Sequence, residues 1–274
     1  MVRISSSNSS IRQRRRKRLL LLLGIVLAIL LTLFGLAVWF ANTSWLQITR
    51  VSVSGENVIP QTSIEEVVQD GIAGKYFGLF SKSNVFLYPK QKIKDNLQTL
   101  YPTLGNAEVR ALDFHTISVT VAERTPHALW CGNGIATTSE GCVLLDKSGL
   151  AYAHAPEYSG PVYQKYVGTL SEGPLPKQFL TPEHFHSLSA LVETFSKKIA
   201  PDTIMSVGVD SDNDVHLAAS GGYEILFALS DNGGDIFQYF TLTLTAAPFT
   251  THALSDFAYI DLRFGDKVYY KLKN

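Results

Sequence analysis

Acidic residues near the start, cysteines, and a second long apolar run are what this chain of 274 residues lacks or nearly lacks. None of its 24 Asp and Glu residues lies before Leu19, whereas seven of its 24 Lys and Arg residues do. The net charge of zero therefore hides a division. A basic arm is followed by a remainder with seventeen basic residues against 24 acidic ones, a balance of about −7. That remainder has no concentrated basic surface of the kind phosphate binding needs, which argues against nucleic acid as its partner. Moderate net charge suits a soluble domain.

Charge is absent altogether from Leu19–Phe40. At a helical rise of about 1.5 Å its 22 residues span roughly 33 Å, enough to cross a hydrocarbon layer of about 30 Å. Six basic residues stand just before it (Arg12, Arg14, Arg15, Arg16, Lys17 and Arg18), and Trp39 and Trp45 lie where interfacial aromatics anchor a helix end. A basic flank stays cytoplasmic, so the chain is expected to run N-in and C-out. A cleaved signal peptide would have a shorter apolar region and small residues at its end, but Val38-Trp39-Phe40-Ala41-Asn42 is bulky there. No second run of this length follows, which leaves about 230 residues outside the cytoplasm on one anchor in the lipid bilayer. The Ser-rich Met1–Ser10 reads as disordered.

The two cysteines, Cys131 and Cys142, both fall on the exported side. In an oxidising compartment the default is a disulfide, worth about 2.5–3 kcal/mol on the chain-entropy model for so short a loop. A zinc site with His127 and His154 is an alternative, although ten intervening residues are unlike the usual short ligand pairs. Free thiols are a third.

The exported part reads as α+β. Val51 and Val53 alternate with polar residues in Ile48–Val53, a half-buried strand. Thr62 and Glu65 fit a capping box ahead of a helix carrying Ile64, Val67 and Val68. Gly74–Val85 reads as a loop that tucks Phe77 and Phe80 inward. Pro89 suits the first turn of a second helix with Ile93, Leu97 and Leu100, which Pro102 ends. Ala107–Leu112 is a strand, as is the segment in which Ile117, Val119 and Val121 alternate with polar or small residues. Further on, Pro182–Ala200 is a helix with Phe185, Leu188, Leu191, Val192 and Phe195 on one face. Thr203–Val209, Val215–Ala219 and Tyr223–Ala228 are strands of an antiparallel sheet joined by hairpin turns. Ile236–Ala246 is a helix weakened by its threonines. Lys267–Leu272 is the terminal strand, with Tyr259–Phe264 the strand before it.

The order β-α-α-β-β is that of a POTRA domain, a module of extracytoplasmic membrane-assembly proteins. Glu123-Arg124-Thr125-Pro126 with Val121, Ala128 and Trp130 resembles the phrase V-x-E-R-x-P-x-A-x-W, which leads into the second domain of the bacterial cell-division family FtsQ/DivIB. Ile48, Val51, Val53 and Gly55 are similar to that family's first strand. Asp146-Lys147-Ser148-Gly149 resembles its D-x-x-G hairpin, and Tyr259-Ile260-Asp261-Leu262-Arg263 its closing Y-I-D-L-R. The resemblance runs along nearly the whole chain. It implies a cytoplasmic arm (residues 1–18), a transmembrane helix (19–40), a POTRA domain (46–124) and a second, mixed α/β domain (125–274). The Cys131–Cys142 loop is not part of the family's general pattern.

No catalytic set emerges, and no cofactor pattern. Asp210, Asp212 and Asp214 resemble a calcium loop but lack the glycine and terminal glutamate of an EF-hand, so a solvated hairpin tip is the simpler reading. His184 and His186 are two apart on a helix and point to different faces. Gly132–Gly141 has no phosphate-loop pattern, and Ser139 has no base near it in sequence. Asp261 and Arg263 share a strand face, as a structural ion pair or a partner contact. An anchored cell-wall enzyme would need a nucleophile or carboxylate pair that is not found.

The resemblance implies a scaffold at the plasma (inner) membrane and division septum. It would bind FtsB-like and FtsL-like division proteins and other divisome membrane proteins, and link septum assembly to peptidoglycan synthesis. The expected contact is the terminal strand, Lys267, Val268, Tyr269, Tyr270 and Lys271, supported by Tyr259, Asp261 and Arg263. Lysines discourage accidental edge pairing, and tyrosines are favoured at interfaces. A closing strand whose tyrosines pack on the core is the plainer alternative. A POTRA-bearing translocation or outer-membrane assembly factor is the rival function; such proteins usually carry several modules and a barrel, for which there is no room here.

A reporter fused after Asn274 is expected to be active only in an extracytoplasmic assay. Neutral residues in place of the six basic ones should weaken that orientation. A cytoplasmic C-terminus would overturn the topology.

Overall fold

The computed structural model describes residues 8–55, 58–132 and 141–273, and the chain divides into two compact units. The first comprises the chain through Leu100 together with Asn106–Glu123, and the second Tyr101–Gly105 with Arg124 onward. The chain is mixed α/β, with one N-terminal apolar helix and a large sheet.

Helix α1 runs Asn8–Ala41, and within it Arg18–Ala41 is long and apolar enough to cross a membrane. Asn8–Ser10, expected in a disordered arm, is helical; the rest of that arm lies outside the described residues. Thr32, the polar residue in mid-span, returns its hydroxyl to the Ala28 carbonyl at 2.8 Å, so no bare hydroxyl faces outward.

In the first unit β1 (Arg50–Ser54), α2 (Gln61–Ile72), β2 (Lys75–Tyr76), β3 (Phe80–Ser81), α3 (Lys90–Leu100), β4 (Leu104–Ala111) and β5 (Thr116–Glu123) follow in order. The three-stranded sheet has the order β1-β5-β4, with β1 and β5 parallel and Val51 beside Ile117. Ile117, Val119 and Val121 are buried, as are Ile64 and Val68 of α2 and Ile93 and Leu97 of α3. These apolar stripes at helical and strand spacing close on one another. Gly55 follows β1 at φ +87°, where a Cβ would stand 2.2 Å from the Val121 carbonyl oxygen, so no side chain fits.

Two expectations fail in this unit. The capping box does not form: Pro60 precedes α2 without a side-chain cap, and Gln61 Nε2 instead donates to Glu65 Oε1 at 2.7 Å. Gly74–Val85 is not a loop folded inward. β2 and β3 pair as a short hairpin, and Phe77 at its tip is 96 % exposed. The tip bends at Phe77 (φ +50°) and Gly78 (φ +73°), which aims the ring away from the domain.

The second unit continues with β6 (Ala128–Trp130), β7 (Val143–Leu145), β8 (Leu150–His154), β9 (Gln164–Gly168), β10 (Lys177–Gln178), α4 (Pro182–Lys198), β11 (Ile204–Val209), β12 (Asp214–Ala219), β13 (Glu224–Ala228), α5 (Gly233–Thr243), β14 (Phe257–Phe264) and β15 (Lys267–Leu272). Its ten strands form one sheet in the order β10-β8-β7-β6-β9-β11-β12-β13-β14-β15. The expected antiparallel sheet is in fact mixed, because β6–β9, β9–β11 and β13–β14 are parallel pairs. Parallel neighbours need a crossover, and α4 lies between β9 and β11 in the chain, α5 between β13 and β14.

Both helices cover one face of the sheet. Phe185, Leu188, Val192 and Phe195 of α4 and Ile236 and Phe240 of α5 join Val207, Leu217, Ile225, Phe227 and Phe257 in one core. Phe195 is its centre, stacked on Phe227 at 5.9 Å and tilted against Phe240 at 5.0 Å. Thr181 caps α4 by accepting from the His184 N–H. The threonines of α5 turn inward on their own helix: Thr241 and Thr243 each donate to the carbonyl four residues back at 2.8 Å.

On the opposite face a smaller cluster holds Leu129, Cys142, Leu144 and Tyr152, and a disulfide joins Cys142 to Cys131. With both sulfurs joined, the pair has no thiolate to offer a metal. The D-x-x-G turn is built around Asp146. Its Oδ1 accepts from the Ser148 N–H at 2.8 Å and the Ser148 hydroxyl at 2.6 Å, and Arg124 pairs with Oδ2. Burial pushes the Asp146 carboxyl up, but these bonds outweigh it and hold it below the usual carboxylate range.

Gly149 closes that turn at φ +76°, and a Cβ there would meet Phe185 Cγ at 2.6 Å. Gly265 has a similar φ of +65° with nothing within 4 Å of a Cβ. Gly265→Ala should therefore cost about 1 kcal/mol, the backbone penalty alone, and Gly149→Ala on the order of 2–4 kcal/mol. Urea denaturation of the purified chain would measure both. Equal losses would reject the packing account.

Candidate functional site

β15 is the last strand of the sheet, hydrogen-bonded to β14 and, among the described residues, to no strand beyond it. Its range is the one read from the sequence. Successive residues face opposite ways. Tyr270 lies opposite Ile260 and turns to the helix-covered side, its ring edge-on to Phe249 at 5.3 Å and Phe257 at 5.7 Å. Tyr269 lies opposite Asp261 on the other side, edge-on to Phe264 at 4.9 Å. Tyr269 is 51 % exposed and Tyr270 44 %. The two tyrosines, grouped together in the sequence, are thus separated: Tyr270 packs its ring edge against Phe249 and Phe257 on the helix-covered side while staying partly exposed, and Tyr269 faces the open side.

Lys267 and Lys271 are exposed, and Lys271 lies opposite Tyr259. The strand's end is fastened by Lys273, whose Nζ donates to the Gly221 carbonyl at 3.0 Å and the Ser255 carbonyl at 2.8 Å. β15 is therefore held in place, and among the described residues no strand lies against its outer side.

Beside it the open face of the sheet carries a charge network. Arg263 donates from Nε and Nη2 to the two carboxylate oxygens of Asp261, at 2.9 and 2.6 Å, and from Nη1 to Asp214 of β12. The guanidinium thus ties β14 to β12 across β13. His216 stands between Asp210 at 3.3 Å and Glu224 at 3.5 Å. The acidic hairpin tip of Asp210, Asp212 and Asp214 divides its labour. Asp210 Oδ1 accepts from the Asp212 and Asp214 N–H groups at 2.9 Å, and Asp214 serves Arg263. These backbone bonds, with His216 alongside, hold the Asp210 carboxyl below its ordinary range.

Asp261 is 5 % exposed. Burial pushes its carboxyl up, yet the Arg263 side chain and backbone N–H outweigh that and hold it below the ordinary value. The same two carboxylates raise the Arg263 guanidinium, so the pair is ionised at neutral pH. The sequence paired Asp261 with Arg263 correctly as face-mates. It read Asp214 only as part of a solvated hairpin tip and missed His216 and Glu224, although Asp214 and His216 are alternate residues of one strand and share a face.

Comparison with known proteins does not name this site. No protein-family model matches the chain, and no curated protein does.

A second concavity of about 390 Å³ lies beside α4, lined in part by His127, Gln164, Tyr166, His186 and Glu193. Burial pushes the Tyr166 phenol up to about 12, and its Oη lies 3.1 Å from Ser189 Oγ. His184, the other member of the sequence pair, does not line it. No group of three or more His, Cys, Asp or Glu side chains among the described residues is placed to hold a metal. Ser139 lies outside the described residues.

Arg263→Met leaves a nearly buried carboxylate without its partner and should cost about 2 kcal/mol at pH 7, less than a fully buried pair because the arginine is part-exposed. The sign of the pH effect follows. A depressed carboxyl stabilises the fold above about pH 4 and loses that contribution as pH falls through its folded value. Without the guanidinium the upward push of burial is opposed chiefly by the backbone N–H of residue 263, so the acid transition should move to higher pH. Urea titrations from about pH 7 to about pH 2 would show it. An unmoved transition would refute the assignment.

Proposed function

We propose that this chain is a single-pass membrane scaffold of the FtsQ/DivIB kind, whose activity is contact rather than catalysis. In this reading α1 anchors it in the plasma membrane with the basic arm inside and both compact units outside, at the division septum. The element order of the first unit, with two helices between β1 and the β4–β5 hairpin, supports a POTRA-type module, the β2–β3 hairpin being an insertion between the helices. The order of motifs along the chain supports the same family.

The observation that carries the proposal is the terminal strand. A six-residue strand at the end of a ten-stranded sheet, fastened at its C-terminal end, offers an unused row of backbone donors and acceptors. A partner in extended conformation can add to such an edge through main-chain bonds, with side chains setting specificity. Tyr269 and Phe264 supply a rigid aromatic contact on the open face. Lys267 and Lys271 suit acidic residues on the incoming segment. The partner in this reading is the extracytoplasmic segment of an FtsB-like protein, with an FtsL-like protein in the same assembly. The charge network of Asp214, Asp261 and Arg263 holds the supporting strand in register and makes no bond to the partner.

Binding of a synthetic FtsB-like extracytoplasmic segment to the purified chain in nanodiscs tests this. Val268→Pro should abolish binding by removing a donor and disturbing the strand. Tyr269→Ala should weaken binding by about tenfold, the scale of an interface tyrosine, with the fold intact. Tyr270→Ala should act first on stability, since that ring packs on Phe249 and Phe257. Full binding by a folded chain truncated after Asp266 would sink the proposal.

A further inference from the structure

The β2–β3 hairpin of the first unit lies alongside α1. Phe80 stands edge-on to Phe34 of α1, ring centroids 6.1 Å apart. The Asn42 side-chain amide donates both to the Val38 carbonyl of α1 and to the Leu79 carbonyl of the hairpin, each at 2.7 Å. Asn84, itself buried, donates to the Ala41 carbonyl at 3.0 Å. The Ile48 N–H adds a bond to the Ser83 carbonyl at 2.8 Å, and the Val85 N–H one to the Leu46 carbonyl at 2.9 Å. The hairpin and the end of α1 are thus fixed to each other by several bonds.

Phe34 is not at the helix end. It stands seven residues before Ala41, about 10 Å along the axis. If Arg18 marks one edge of a hydrocarbon layer about 30 Å thick, the other edge falls about twenty residues on, near Val38. Phe34 is then about 6 Å inside the layer, and what touches it is at the same depth. A helix that spans the bilayer therefore carries the hairpin into it.

The hairpin is made for that depth. Its turn reads Phe77-Gly78-Leu79, and Phe77, 96 % exposed, is among the most exposed large apolar side chains in the chain. Lys75 and Lys82 stand on either side of it, Lys82 with its ammonium 5.6 Å from the Tyr76 ring centroid. Other exposed aromatics gather at this end of the unit. Trp45 follows α1 directly and is 80 % exposed. Phe86 and Phe114 meet edge to face at 6.3 Å, and Phe114 lies in the β4–β5 turn, whose His115 carbonyl accepts from the Thr49 N–H at the start of β1. Aromatic rings with lysines behind them are the composition of a surface that sits at the level of lipid headgroups and acyl chains.

We propose that the Lys75–Ser81 hairpin is a second membrane contact, a monotopic wedge that inserts Phe77 and Leu79 into the outer half of the bilayer beside α1. Its ligand is the phospholipid bilayer itself. The lysines meet anionic headgroups, and the wedge adds a contact with lipid to the bonds that already hold the first unit to α1. This contact is independent of what docks on β15.

The test uses the full chain in vesicles of phosphatidylcholine and phosphatidylglycerol. Phe77→Cys, Leu30→Cys and Val58→Cys each receive a thiol-reactive fluorophore, without reductant so that Cys131–Cys142 stays joined. Leu30 lies within α1, and Val58 is 80 % exposed at the far end of β1. Phe77 touches so little that its replacement leaves the fold unchanged. Lipids with a nitroxide at carbon 5 of the acyl chain should quench the labels at 30 and 77 but not at 58. Aqueous iodide should quench the label at 58 several-fold more than that at 77. A label at 77 quenched by iodide as fully as at 58 overturns the inference. Protection from iodide without quenching by lipid would mean a protein covers the hairpin, and overturns it as well. A label at 30 that lipid does not quench overturns both the span and the wedge.

Discussion

One-sided burial of the long sheet is the constraint on which the second unit depends. α4 and α5 lie on one face, and the aromatic rings gathered about Phe195 fill the space beneath them. Among the described residues of this unit no helix lies over the other face, and its chemistry follows from that. Side chains there must satisfy one another or water, and they do so with charge. Arg263 spans from Asp261 to Asp214, and His216 lies between Asp210 and Glu224. Where β6, β7 and β8 carry Leu129, Leu144 and Tyr152 outward, the open face has an apolar cluster of its own, and there the disulfide sits.

A sheet of this length that does not close has two ends, and the ends differ. At one, β10 is two residues long, too short to template pairing. At the other, β15 is six residues long and carries lysines. Lysines guard against indiscriminate pairing while leaving the edge open to a segment of matching charge. The asymmetry makes β15 the natural place for a contact. Tyr270 is then an internal brace and Tyr269 an external one.

The first unit answers a different constraint. The last carbonyls of a helix have no partner within it, and the chain must leave α1 without burying them unpaired. Asn42 and Asn84 do this by bonding the last carbonyls of α1, and in doing so they clamp the β2–β3 hairpin to the helix. The left-handed tip at Phe77 turns the end of that hairpin outward.

Much of this was legible in the sequence. Leu19–Phe40 marked out a helix long and apolar enough to cross a membrane, because its twenty-two residues carry no charge. Period-2 and period-3.6 patterns placed β1, α2, α3, β5, α4 and the strands from β11 to β15 to within a few residues, because each buries one face. Asp261 and Arg263 were visible as face-mates for the same reason. The exposed tip at Phe77 was not, because an aromatic reads as core unless its backbone is seen to turn away. Nor was the mixed character of the sheet, since strand neighbours depend on which way α4 and α5 cross over. Asp214 reaches Arg263 from 49 positions away, through a register that only the pairing of β12, β13 and β14 creates. The sequence by itself determined what must be buried and which helix is apolar enough to span a membrane, because hydrophobicity and its period are local. The tertiary structure alone decided which tyrosine of β15 faces outward and which charges meet, because those depend on strand order.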